Sequence, residues 1–190
     1  MRGFVKFRRN RSGAVLVEHT LVFLMLMVLT FGLIEFGLVL YQYNAAETAT
    51  FAGARFIATR GPVLTGVSDC GVATTAAAGT RCSDVAGSTG WSLTCNASAP
   101  SGNCQAAALN QLVAEMQRFY PNIEAQNVQV ELNGAGLGFV GRGAPVPMVT
   151  VRLTGMTYEF IAMDNLLGFG DVIMPGFDAT LVGEDLNEGA

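Results

Sequence analysis

Charge is scarce in this chain of 190 residues: Asp, Glu, Lys and Arg make up 14%, against about 25% in average soluble domains. That shortfall, beside 51% hydrophobic residues, argues against a disordered chain and against an ordinary cytosolic domain. Basic residues are scarcer still once the N-terminus is passed. Arg2, Lys6, Arg8, Arg9 and Arg11 are five of the 11, and no acid precedes Glu18. The first 13 residues therefore carry +5, and six basic against 15 acidic residues in the whole chain leave −9 for the remainder. An acidic body of this kind does not suit nucleic acid. His19 is the only histidine, and the four cysteines form no Cys-x-x-Cys pair. A metal site is thus disfavoured, and nothing near His19 completes a catalytic constellation. No cofactor and no enzymatic activity are expected. Gly136, Gly138 and Gly141 satisfy G-x-G-x-x-G, but Pro145 and Pro147 stand where the dinucleotide motif needs a helix.

What the chain does have is a long apolar run. From Leu21 to Leu40 only Glu35 is charged. Twenty helical residues rise about 30 Å, the thickness of a bilayer core. The basic cluster lies just before the run, so the positive-inside rule places the N-terminus in the cytoplasm and the chain beyond about Tyr41 outside. Tyr41 and Tyr43 fall where an interfacial aromatic belt is expected. A cleavable signal, a plain single-pass anchor and a third reading compete here. The run is longer than the about 7–15 residues of a signal core.

The third reading comes from the junction Arg11-Ser12-Gly13-Ala14-Val15-Leu16-Val17-Glu18. A basic leader ends in glycine, a small residue follows, and a glutamate stands five positions beyond the glycine. This resembles a type IV prepilin. From Arg8 to Gly61 the order is a basic start, G-A-x-x-V-E, an apolar helix, I-E-F-G with nearby tyrosines, and G-A-R. In that order the pieces resemble the TadE-like family of tight-adherence (Tad) pilus proteins.

The resemblance implies a pseudopilin or minor pilin of a Tad-type assembly system. A prepilin peptidase would cut between Gly13 and Ala14, removing the leader. Glu18 would then pair with the N-terminal amine of a neighbouring subunit as helices pack, since a carboxylate near the bilayer needs a partner. Glu35 matches the family's E-F-G glutamate and is a second candidate for subunit assembly; snorkelling to the headgroups is its other role. Seventeen helical steps place Glu35 about 100° around the helix from Glu18, so one partner cannot easily serve both. Arg55 matches the G-A-R arginine and is expected to tether the helix to the exported domain. The implied partners are the peptidase, other pilin-like subunits, inner-membrane pilus assembly proteins and the membrane. The implied location is the inner membrane, single-pass, with a periplasmic C-terminal domain, or a surface pilus. The alternative is an unprocessed, membrane-anchored extracytoplasmic binding module.

Four regions follow: a leader, 1–13; a helix, 14–60, spanning at about 21–40; a Gly/Ser/Thr/Ala-rich, cysteine-containing loop region, 61–104; and an α+β domain, 105–190. Alanine at 45, 46, 49, 52, 54 and 58 carries the helix past the membrane, and Gly61-Pro62 stops it. Cys70, Cys82, Cys95 and Cys104, even in number and exported, suggest two disulfides in one of three connectivities. Sequential pairing closes the shortest loops. Leu109, Leu112, Val113, Met116 and Phe119 recur at helical spacing. Val128, Val130 and Leu132, then Val149, Val151 and Leu153, alternate as strands, with a shift at Gly155 read as a bulge. Residues 178–183 form a third strand, and 160–169 a short helix or loop. The expected fold is α+β: a long N-terminal transmembrane helix extended into a small domain, where an amphipathic helix packs on an antiparallel sheet. The Gly134–Gly143 stretch is expected to be a flexible hairpin tip, with Leu137 and Phe139 available to a partner.

Overall fold

The computed structural model describes residues 11–60, 63, 70, 76–141 and 146–183. The proposed leader up to residue 10 and the Pro145 segment lie outside the described residues. The first element is one unbroken helix, α1 (Arg11–Thr59), 49 residues long. It is long and apolar enough to cross a membrane. The chain divides into two compact units, residues 1–41 with 158–172, and residues 42–157 with 173–190.

In the second unit, α1 changes character. Ala46, Ala49, Thr50, Ala54, Ile57 and Ala58 are buried, three or four positions apart, making one stripe of mostly small side chains. The stripe lets α2 (Ala106–Gln117) come close. A Cβ on Gly53 would lie 2.9 Å from the Met116 side chain and 3.1 Å from Leu112. Leu109, Leu112, Val113 and Met116 form the buried face of α2, as its spacing predicts. The Tyr120 hydroxyl donates to Gln42 Oε1 at 2.8 Å. Tyr43, expected in an aromatic belt, instead meets the Phe177 ring edge-on at 4.9 Å.

A four-stranded antiparallel sheet completes this core, in the order β1 (Thr89–Asn96), β2 (Val128–Leu137), β3 (Val146–Leu153) and β6 (Phe177–Val182). Its register aligns Cys95, Val130, Val151 and Ala179 in one buried row across all four strands. Val128, Leu153 and Phe177 make another. The period-2 alternation of these strands thus fills a single face. On the other face Arg152 and Glu131 form an ion pair at 3.3 Å.

Three sequence expectations need correction. The region 61–104, read as loop, contains β1. That strand carries Trp91, Leu93 and Cys95 on alternate positions among Thr, Ser, Gly and Asn, too few apolar residues for a period to stand out. Gly155 is not a bulge. Its φ of +70° makes a turn that separates β3 from the short β4 (Thr157–Tyr158), which pairs with β5 (Val172–Ile173). Of the Gly134–Gly143 stretch, residues 134–141 are not a free tip, and 142–143 lie outside the described residues. Gly79 N–H donates to Val140 O, Val140 N–H to Thr80 O, and Cys82 N–H to Gly138 O, each at 2.9–3.0 Å. Gly134 has its own cause: the Trp91 indole lies where a Cβ would stand.

Disulfides join Cys70 to Cys82 and Cys95 to Cys104. The second ties β1 to the segment entering α2, where Gln105 N–H also donates to Val63 O.

Candidate functional site

The candidate processing and assembly residues, Gly13, Ala14, Glu18 and Glu35, all lie on α1. Gly13 and Ala14 are exposed and helical, and the space around Gly13 is open. Glycine here costs the helix about 1 kcal/mol relative to alanine. Glu18 is exposed one turn further on, with no ion-pair partner among the described residues, and His19 is exposed beside it. Around them nearly every apolar side chain from Val15 to Ile34 is exposed, Leu16 by 69% and Met25 by 71%. Such a surface requires lipid or other helices around it.

Glu35 is different. It is 6% exposed, and its partner comes from far along its own chain. Oε1 accepts the backbone N–H groups of Ile161 at 2.8 Å and Ala162 at 2.5 Å, and Oε2 accepts that of Met163 at 2.9 Å. These amides open a short helix, α3 (Ala162–Leu167), whose local N-cap position is Ile161, a side chain without an acceptor. A helix leaves its first N–H groups unpaired, and an anion suits that end. Glu35 therefore caps α3 from 126 residues away. Gly32, one turn earlier on α1, makes room for Met163: its Sδ and Cε lie 3.6 Å from where a Gly32 Cβ would be. Burial pushes the nearby Tyr158 phenol above its ordinary range, and the Glu35 charge adds to that shift.

The structure thus separates the two candidate acids. Glu18 faces outward, whereas Glu35 has both oxygens engaged within the chain. No local signal in the sequence pairs Glu35 with residues 161–163; the apolar Ile161 ahead of a short helix was the only hint of a missing cap. Arg55, expected as a tether, is exposed and lines an open groove of about 600 Å³ with Phe51, Arg60 and Phe119. The close packing belongs instead to Gly53 and Ala54. Among the described residues, no group of three or more His, Cys, Asp or Glu could hold a metal.

Neither a curated protein nor a solved structure gives a match. A family model does: residues 13–55 match that described as TadE-like protein. The match begins at Gly13 and takes in Glu18, Glu35 and Arg55, so the similarity to this family lies in the N-terminal segment of the chain.

Proposed function

We infer that this chain is a pseudopilin or minor pilin of a Tad-type pilus assembly system. Its role is structural rather than catalytic. The observation that carries this reading is the TadE-like match over 13–55, which begins at the glycine of the prepilin-like junction. A prepilin peptidase cuts after Gly13, discards the +5 leader and frees the amine of Ala14. The exposed apolar surface of α1 then packs against lipid or against the helices of other pilin-like subunits. Glu18, outward-facing and near that new terminus, pairs with the amine of a neighbour in a charge-assisted contact. The N-terminus starts in the cytoplasm and the second unit is periplasmic.

Co-expression with a prepilin peptidase tests maturation. The wild-type chain shortens by 13 residues, Gly13→Phe stays full length, and Glu18→Ala is cut but fails to co-purify with other subunits. A wild-type chain left full length by an active peptidase contradicts the reading and favours an unprocessed membrane-anchored module.

A further inference from the structure

The residues around Glu35 carry a second membrane element, an inference that rests on the membrane-spanning reading of α1. Residues 158–172 belong to the same compact unit as the first 41 residues. Two contacts set their level along α1. The amides of 161–163 sit on Glu35, and Met163 sits on Gly32. Glu35 lies five residues before Leu40, about 8 Å of helix inside the outer end of the apolar run. The segment is therefore held where the apolar run reaches its outer boundary, inside Leu40 rather than beyond it.

Its surface fits that level. Ile161 is 76% exposed, Leu166 and Leu167 are 52% each, Phe169 is 53% and Val172 is 42%. In the same unit Leu33, Ile34, Phe36 and Leu38 of α1 are also exposed. An apolar surface this extensive marks a contact with a partner or a membrane. The acids in and beside the segment, Glu159, Asp164 and Asp171, are all exposed, and no Lys or Arg follows Arg152. A segment without basic residues suits the non-cytoplasmic side of a membrane.

We propose that residues 160–172 form an interfacial anchor that lies in the outer leaflet of the bilayer at the boundary between headgroups and acyl chains, clasped to the spanning helix by Glu35. Its occupant is phospholipid. Elements of this kind bury their apolar side about 5–10 Å into that boundary. Glu35 then satisfies the α3 amides at a depth where water cannot.

Depth-dependent fluorescence quenching tests this in the full chain, reconstituted at one copy per phospholipid nanodisc. Trp91 is the sole tryptophan and gives the baseline. Phe169→Trp and, independently, Leu167→Trp report on the anchor, and Leu29→Trp reports on the span. Nitroxide lipids labelled at acyl carbon 5 or 12 are the quenchers. The expected result is added emission from positions 167 and 169 that carbon-5 lipid quenches at least twofold more than carbon-12 lipid, with the reverse order at position 29. Quenching at 29 without quenching at 167 or 169 overturns the anchor and leaves the spanning helix intact. No quenching at any of the three overturns the membrane reading as well. Emission at 167 and 169 that is unquenched in discs but blue-shifts on self-association assigns the patch to a second copy and overturns the lipid proposal.

Discussion

The Glu35 carboxylate and the Ala162 amide, 127 residues apart in sequence, are hydrogen-bonded at 2.5 Å. With Ile161 and Met163 they make a helix cap supplied by another helix. Loss of a capping acceptor costs about 0.5–2 kcal/mol. Glu35→Ala is expected to speed hydrogen exchange at 161–163 by about tenfold, with little change in α2. Glu35→Gln, which keeps one acceptor oxygen, falls between. Unchanged exchange in Glu35→Ala shows that the cap is not Glu35.

Asn127 holds the turn that ends β3. Its Nδ2 donates to Thr154 O at 2.9 Å and Gly155 O at 3.3 Å, and its Oδ1 accepts from Glu124 N–H at 3.1 Å. Asn127→Asp replaces a donor with a charged acceptor facing two carbonyls. The expected loss is about 2–3 kcal/mol, read from the denaturation midpoint of the full chain by Trp91 fluorescence. A midpoint within error of the parent counts against this arrangement.

The Cys95–Cys104 bridge closes a short loop, with a sequence separation of 9. Loop entropy alone gives about 2–3 kcal/mol for such a length. Replacing both cysteines by serine should lower the thermal midpoint and leave it less sensitive to reductant than the parent. Peptide mapping without reduction should recover Cys70 with Cys82 and Cys95 with Cys104; any crossed pair contradicts the sheet register at Cys95.

Tyr158 lies outside the spanning segment, and its phenol is held in the protonated form by its surroundings. Burial, then the Glu35 charge, raises its phenol above the ordinary value of about 10. The folded state therefore favours the protonated phenol. Its contribution to stability is complete below the ordinary value and is lost as pH rises through the folded one. Ultraviolet titration should show a late tyrosine step, and Tyr158→Phe should remove it. If the latest step survives in Tyr158→Phe, the assignment is wrong.

Legibility in the sequence followed the range of each interaction. The apolar run, the 3.6-residue period of Leu109 to Met116 and the alternation at Val128 to Leu132 are local patterns, and each became the expected element. β1 escaped because its fit to the sheet comes from register with β2, Cys95 against Val130, rather than from its own composition. The glycine loop hides its pairing for a related reason. Its backbone pairs with residues 79–82, which carry no periodicity. Glu35 stands out in the sequence as a costly acid in an apolar run, yet its partner is a set of main-chain amides more than 120 residues away, and amides have no sequence signature. The small-residue stripe from Ala46 to Ala58 marked close packing, and Gly53 shows where it is tightest.

The proposed assembly role requires that the chain mature after Gly13, where its similarity to TadE-like proteins begins. Intact-mass spectrometry of the protein recovered from cells with an active prepilin peptidase tests it directly. The expected product is a mature chain that begins at Ala14 and keeps both disulfides. A chain that still carries Met1 through Gly13 in those cells contradicts it.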